Sequence, residues 1–220
     1  SQGYAAYRTA LKAAGSSLSD TERKARKIAR EVGPLRFDYH EPTPEILAKL
    51  FQWKSAQHRR TNMLEIFRHD WLRTLLSNLV NCQSTGFSAP LSALYAGDQL
   101  VAVHLGLQTQ RVLHVLFPAY LTDFEKYSPG LILLLHLAEE VAGQGVQRIE
   151  LGPGEERYKQ NFQSADAPVY EGIVTANPLT AATRSLWYHA KRRVRASKYR
   201  TQLEAPLVAT RRLRQWMAFR

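Results

Sequence analysis

The sequence has only one cysteine, Cys82, in 220 residues. A lone thiol excludes an internal disulfide framework and a CxxC metal site, and the histidines lack ligand spacing with carboxylates or cysteines, so no metal is expected. The longest apolar run, 131–135, is far shorter than the ~18 residues of a membrane-spanning helix. No internal repeat or low-complexity stretch is present. These absences favour a globular, cytoplasmic protein with a core of ordinary size.

Positive charge is abundant but confined to one end of the chain. The net charge is +11, and residues 184–220 hold 11 Lys or Arg against one acid, Glu204, so the remainder is near neutral. Two basic amphipathic helices are predicted here, near 180–200 and 206–219. Such a segment binds RNA, anionic lipid at the inner face of a membrane, or an acidic protein partner. A basic helix face in contact with solvent is an equally good interpretation.

Hydrophobic periodicity and punctuation predict a mixed α/β fold. Helices are predicted at 4–31, 44–60, 70–81, from 128 onward and at 155–162, and strands at 35–40, across a three-strand meander at 89–120, at 146–152 and at 167–174. Antiparallel strands followed by strand–helix–strand units imply a mixed, mostly antiparallel sheet with helices packed on it. The predicted divisions are a helical lead-in at 1–32, a central domain at 33–176 and the basic helices at 177–220.

The apolar helix opens on the sequence YSPG, where a plain capping residue would suffice. Pro129 suits the first helical position, Gly130 keeps the backbone accessible, and Ser128 offers an N-cap hydroxyl. Free N–H groups and the positive end of the helix dipole favour a phosphate at this point. The alternative is a well-capped core helix without a ligand.

The stretch RIELGPGEERYKQNF carries a second candidate cluster. Gly152-Pro153-Gly154 is predicted to be a turn and not a phosphate cradle, because the two glutamates after it would repel an anion. Helical spacing puts Tyr158 and Phe162 on one face. Lys159 is suited to stabilising an oxyanion and Tyr158 to protonating a leaving thiolate. The alternative is a core aromatic pair beside a surface lysine.

The strand meander, KYSPG before an apolar helix, IELGPG and YKxxF together resemble the GNAT-type acyltransferases. More narrowly, the chain is similar over 33–174 to the branch of cellulose-biosynthesis-associated acetyltransferase-like proteins. The resemblance implies a sheet that opens to admit acyl-CoA, with the pyrophosphate at the helix that starts near Ser128. Of the general pattern Gln/Arg-x-x-Gly-x-Gly/Ala, the segment 125–130 keeps only Gly130, which leaves room for another acyl donor. The residues expected at the donor are Leu116, Lys126, Tyr127, Ser128, Pro129 and Gly130.

The same aromatic-Lys-x-x-Phe motif is similar to that of the Fem-type aminoacyltransferases, which have two GNAT-like halves. That resemblance implies an aminoacyl-tRNA donor, carbonyl polarisation by Lys159, and a missing N-terminal half, since the chain starts at Ser1. Other than such a tRNA, no nucleic-acid partner is expected. A third alternative is a catalytically degenerate scaffold for envelope-polysaccharide machinery, docked through its basic tail.

Acyl transfer from acyl-CoA to an amine acceptor, the favoured function, requires a base and an oxyanion donor. A two-residue turn at Thr109-Gln110 predicts His104 opposite Val115 and His114 opposite Leu105, which puts the two histidines on different faces of the sheet. His114 is the preferred base, although a hydrogen-bonded core histidine is the commoner role for such a residue, and Glu150 is its rival. A backbone N–H near Val115 or Leu116 is the expected oxyanion donor.

Overall fold

A computed structural model describes residues 3–154, 156–170 and 174–196. It divides into a unit at 1–167 and a second at 168–220. The predicted helix at 206–219 lies outside the described residues. None of the described helices combines the length and the apolar character needed to cross a membrane.

The first unit alternates between helices and strands. Its helices are α1 (Gly3–Ala13), α2 (Leu18–Glu31), α3 (Pro44–Arg60), α4 (Asp70–Val80), α5 (Pro129–Gly143) and α6 (Arg157–Phe162). Its strands are β1 (Leu35–Asp38), β2 (Gln83–Ser84), β3 (Phe87–Ser88), β4 (Leu91–Ala96), β5 (Gln99–Thr109), β6 (Val112–Tyr120) and β7 (Arg148–Glu150). Short 3₁₀ turns occupy Ile66–Arg68 and Thr122–Tyr127. The second unit contains α7 (Pro178–Ala196).

One mixed sheet organises the first unit. Its main order is β1-β4-β5-β6-β7, and the β2–β3 hairpin pairs with the end of β5. All pairs are antiparallel except β6 with β7, which is parallel. The predicted mixed α/β class is therefore confirmed.

Alternate residues of the central strands enter two separate cores. Val103 and Leu105 of β5 pack with α3 and α4 on one face, in a cluster that includes Leu50 and Phe67. Ala102 lies on the other face, which is covered by α2 and α5. A third cluster joins α1 and α5 to Leu113 and Val115 of β6 on that same face. The period-two alternation of strand side chains thus separates an α3/α4 face from an α5 face.

Several local signals act as their chemistry predicts. Thr43 is the N-cap of α3 and its hydroxyl accepts the N–H of Ile46 at 3.3 Å, with Pro44 at the first helical position. Gly33 follows α2 with a φ of 153°, and a Cβ there would lie 2.7 Å from the Cα of Gly97. Only glycine allows this close approach of the chain to the β4–β5 turn.

Three expectations about elements were wrong. The helix predicted at 4–31 is divided into α1 and α2 near Gly15, whose φ of +68° suits glycine. The β5–β6 turn is centred on Gln110-Arg111 and not on Thr109-Gln110, because Gln108 pairs with Leu113. The strand predicted at 167–174 does not form at 167–170 or 174, the positions that the structure describes there.

Candidate active site

The parallel strands β6 and β7 separate after a short contact. Their pairing joins 112–114 to 148–150, after which β7 ends and β6 continues to Tyr120. The outer edge of β6 beyond His114 is therefore free of β7. Strand edges of this kind present backbone N–H and C=O groups to whatever lies beside them. A bound extended chain, such as the arm of a cofactor, can use these groups.

A β-bulge lies in β6 directly beyond this separation. Leu105 pairs with Phe117 and Gly106 with Val115, so Leu116 has no opposite residue on β5. A bulge re-aims the local backbone groups out of the regular ladder. Leu116 is 40% exposed, so the bulge is accessible. The bulge lies where the sequence predicts an oxyanion donor, although nothing in the hydrophobic pattern indicates the bulge itself.

His114 and Glu150 are register partners across the parallel pair. His114 also pairs with Leu107, which packs with the α3/α4 cluster, so both candidate bases lie on that face. The prediction that His114 pairs with Leu105 was wrong, because the turn falls later than expected. Glu150 Oε1 lies 2.8 Å from the Nε atom of Arg148, and His114 is exposed.

His104 lies on the opposite face and does not reach this site. It pairs with Pro118 instead of the predicted Val115, because of the later turn and the bulge. Its ring is fully buried, and its Cε1 would lie 2.7 Å from a Cβ at Gly106. Burial, together with the charge of Lys54, lowers the pKa of His104 to about 3, so the ring is neutral at physiological pH. His104 is a core residue.

The start of α5 contains a strained serine. Ser128 has φ 55° and ψ 53°, the left-handed conformation that glycine adopts without strain. Its hydroxyl makes no capping bond within α5, so the predicted N-cap bond was wrong. In the family pattern this position is a glycine.

Lysine 24 of α2 supplies a contact that sequence analysis missed. Its Nζ donates to the Ser128 hydroxyl at 3.0 Å and lies 3.0 Å from Asp20 Oδ2. The buried Tyr127 donates its hydroxyl to Glu31 at 2.7 Å and lowers the pKa of that carboxyl, while Lys126 lies 4.8 Å from the Tyr127 ring. The helical pattern of the sequence puts Lys24 among the basic residues of α2, but it does not indicate which element the side chain contacts. Only the packing of α2 on α5 brings it here.

The start of α5 also lies next to β6. Gly130 has room for a Cβ, whose nearest neighbour would be Cδ1 of Tyr120 at 3.5 Å. Pro129 is buried and occupies the first helical turn, where N–H groups have no intrahelical partner. Anion-binding donors, a left-handed turn and a lysine therefore meet at the end of β6. These residues fit a phosphate group.

Lys159 is buried, with its ammonium directed at the turn before α6. Its Nζ donates to the carbonyls of Pro153 at 2.9 Å and Gly152 at 3.3 Å, and lies 2.8 Å from Glu156 Oε2. Three acceptors match the three hydrogens of an ammonium. The bond from Lys159 lowers the pKa of Glu156. In this arrangement Lys159 holds the turn, and contact with an oxyanion would require it to release one acceptor.

Tyr158 belongs to the opposite side of the sheet from His114. It is half-buried against the α5 cluster together with Phe162, as the predicted shared face requires. Burial, with a smaller contribution from Glu156, raises the pKa of the Tyr158 hydroxyl. Among the four candidate catalytic residues, the structure therefore pairs His114 with Glu150 and Tyr158 with Lys159.

A small pocket adjoins the end of β6 on the α3/α4 face. It is lined by Trp53, Ala56, Gln57, Arg60, Tyr120, Leu121 and Thr122. Gln57 Oε1 accepts a hydrogen bond from the buried Lys54 at 3.0 Å, and burial lowers the pKa of Lys54 to about 8. Arg60 lies 3.8 Å from Glu125. Because Tyr120 adjoins both this pocket and Gly130, the pocket is next to the α5 start.

The described residues contain no group of three or more His, Cys, Asp or Glu that could hold a metal ion.

A separated parallel strand pair, a bulge beside it and a helix that starts with a phosphate-type turn define an acetyltransferase-like architecture. The family model described as "Acetyltransferase (GNAT) domain" matches residues 16–160, more than half of the chain. The protein belongs to this family of GNAT acetyltransferases.

Three solved structures are similar to this chain, and the first of them supports the fold. A possible acetyltransferase from Clostridium difficile 630 aligns with a TM-score of 0.50 at 11% identity, over 64% of this chain and 98% of that one. An aminoglycoside acetyltransferase from an uncultured soil metagenomic sample, in complex with sisomicin, aligns with a TM-score of 0.47 at 14% identity, over 65% of this chain and 97% of that one. The C-terminal domain of a putative lysylphosphatidylglycerol synthetase from Agrobacterium fabrum aligns with a TM-score of 0.43 at 16% identity, over 62% of this chain and 41% of that one. No curated protein matches in sequence.

Proposed function

We propose that the protein is an N-acyltransferase that moves an acetyl group from acetyl-CoA to an amine acceptor. The observation that carries the proposal is the conformation of Ser128 at the start of α5, next to the separated β6 and β7. A strained backbone at a non-glycine residue persists where the surroundings require it, and such strain clusters at ligand sites. The missing family glycine is therefore no obstacle to CoA.

In this proposal the start of α5 holds the pyrophosphate. The first-turn N–H groups, including that of Gly130, donate to it, and Lys24 and Lys126 supply positive charge. Acetyl-CoA supplies the activated thioester. The exposed edge of β6 beyond His114 positions the pantetheine arm by backbone hydrogen bonds, with the thioester beside Leu116.

The base and the oxyanion donor lie on adjacent strands. Glu150, with His114 as its register partner, removes the proton from the ammonium of the acceptor. A backbone N–H at the Leu116 bulge donates to the developing oxyanion. Tyr158, whose raised pKa keeps it protonated, approaches from the α5 side of the sheet and donates to the leaving thiolate through the opening between β6 and β7. Lys159 fixes the Gly152-Pro153 turn that carries this segment.

The pocket below Tyr120 is assigned to the part of the acceptor remote from its amine, because Tyr120 lies four residues along β6 from Leu116, ~13 Å at the rise of a strand. Trp53 provides an aromatic wall, and Gln57 and Arg60 provide polar groups that orient a ligand. This combination suits an amino sugar. It is in keeping with the resemblance to cellulose-biosynthesis-associated proteins and a role in envelope polysaccharide biosynthesis.

Titration calorimetry of the full chain with CoA tests the donor. Saturable binding is expected, and it should weaken about fivefold to tenfold in Lys24→Gln, because one charged contact to phosphate is lost. Lys49→Gln, an exposed lysine of α3, is the matched control and should bind normally. Absence of CoA binding would refute the proposal. Transfer from aminoacyl-tRNA without CoA binding would establish the Fem-like alternative.

Substitution of the two bases separates their roles. Glu150→Gln should lower kcat about 10²-fold or more if Glu150 is the base, whereas His114→Gln should then have a much smaller effect. The reverse order would transfer the role to His114. If neither substitution lowers turnover of an amine, this site does not carry the reaction. Intact biological function in Lys159→Ala, together with its loss on deletion of 180–220, would instead support the scaffold alternative.

A further inference from the structure

Helix α7 exposes leucine side chains. Leu179 is 75% and Leu186 73% exposed. The helix nevertheless starts with a well-formed cap, because Asn177 Oδ1 accepts the N–H groups of Leu179 at 3.0 Å and Thr180 at 3.4 Å. An ordered helix thus presents apolar side chains to solvent.

The exposed leucines form one stripe along the helix. Leu179, Thr183, Leu186 and Ala190 recur at helical spacing, and all four are exposed. The same spacing puts Arg184 on the other side of the helix, while the exposed Arg193 follows at the end of the leucine stripe. The sequence of α7 contains five Lys or Arg and no Asp or Glu. The helix therefore combines an apolar stripe with basic residues and has no acidic residue.

We propose that α7 docks on an anionic lipid surface, lying in the plane of the headgroups with Leu179 and Leu186 inserted. Uniform positive charge is complementary to anionic headgroups, and a basic helix with an apolar stripe is suited to the interface of a bilayer. Exposed arginine alone would also attract RNA. The exposed leucines favour lipid over RNA. Binding to RNA phosphates buries no apolar side chain, whereas a bilayer buries leucine side chains at the boundary between headgroups and acyl chains. The docking brings the catalytic unit to acceptors made at a membrane.

Co-sedimentation of the full chain with vesicles tests this proposal without any assay of transfer. Vesicles of phosphatidylcholine alone are compared with vesicles of equal parts phosphatidylcholine and phosphatidylglycerol, at low and at high salt. Binding is expected only to the anionic vesicles and should weaken with salt. The double variant Leu179→Gln/Leu186→Gln should bind about tenfold or more weakly. Arg184→Gln/Arg193→Gln should lose a comparable factor of about tenfold.

Two matched controls keep the test specific. Leu75→Gln removes a leucine that is 46% exposed on α4, and Lys49→Gln removes an exposed charge on α3, and both should bind vesicles as the parent does. Far-ultraviolet circular dichroism confirms that the α7 variants keep their helix content. Failure to bind anionic vesicles overturns the proposal. The proposal is also overturned if the leucine substitutions leave vesicle binding unchanged. It is likewise overturned if the chain binds single-stranded RNA more tightly than vesicles and the leucine substitutions do not affect that binding.

Discussion

Two buried lysines of the first unit differ in how their charge is matched. Lys159 and Lys54 are 7% and 8% exposed. Lys159 reaches two carbonyls and the Glu156 carboxylate, at the turn before α6. Lys54, inside α3, donates to Gln57, and the described part of the chain provides it with no ion-pair partner.

The difference in hydrogen-bond partners means that Lys159 stabilises the folded state, whereas Lys54 is costly to bury in its charged form. A buried ammonium is stabilised when its three hydrogens meet acceptors, and otherwise it tends to lose its proton. Accordingly, the pKa of Lys54 falls to about 8, while Lys159 lowers the pKa of Glu156. Lys54 is thus an amine that titrates near neutral pH behind the wall of the proposed acceptor pocket.

The largest effect is expected when the unmatched charge is removed. Lys54→Met should raise the free energy of unfolding at pH 7 by about 3 kcal/mol, because the folded state no longer buries an ammonium. In the parent, stability should rise between the folded pKa of about 8 and the ordinary value of 10.5, since only the unfolded state then holds the proton. The advantage of the variant should shrink over that window.

Urea unfolding at several pH values measures this difference. Lys49→Met, an exposed lysine on the same helix, should show no such pH-dependent gain. If Lys54→Met is less stable than the parent at pH 7, the cost assigned to burying this ammonium is wrong.

A smaller effect of opposite sign is expected at the matched lysine. Lys159→Met should lower the free energy of unfolding by about 2 kcal/mol, because two carbonyls and a carboxylate lose a charged donor. Glu156→Gln should cost less than about 1 kcal/mol, since that carboxylate is 56% exposed. Thermal and urea unfolding report both values. A large loss of kcat in Lys159→Met at unchanged stability would support the catalytic role that the sequence predicts and count against the positioning role.

The smallest effects are expected for substitutions of Ser128, whose hydroxyl accepts a hydrogen bond from a third lysine, the partly buried Lys24. Ser128→Gly should raise the free energy of unfolding by about 1 kcal/mol, because glycine adopts the left-handed conformation without strain. It also frees Lys24 from the hydroxyl, so CoA affinity should stay within about threefold of the parent. Ser128→Val, whose branched side chain disfavours that conformation, should lower both quantities. Equal stability of the two variants would show that the backbone strain at Ser128 has no energetic weight.

The sequence predicts local elements better than it predicts register. The starts of α3 and α5 follow from Pro44 and Pro129, whose fixed φ suits a first helical turn. The histidine pairing fails because a hairpin turn can shift by one residue without changing the alternation on either strand. The bulge at Leu116 leaves no mark in the hydrophobic pattern, because several apolar residues follow one another there.

The candidate site was predictable in its positions but not in its contacts. The start of α5, His114, Glu150 and Lys159 follow from local motifs or from the resemblance. The link from Lys24 to Ser128 joins residues 104 apart in sequence, and a single sequence gives no signal for such a distant contact. The inward direction of the Lys159 ammonium is likewise a result of packing.

The bulge in β6 divides the strand into two phases of side-chain direction. Before it, Leu113 and Val115 enter the α5 cluster; after it, Phe117 packs edge-on against Phe67 at a ring separation of 5.1 Å. Deleting Leu116 would make Phe117 follow Val115 directly, which restores regular alternation and leaves each side chain on its own face, opposite Leu105 and Gly106 respectively. The extra residue therefore belongs to neither core, and its removal would take away the proposed oxyanion site while both cores keep their side chains.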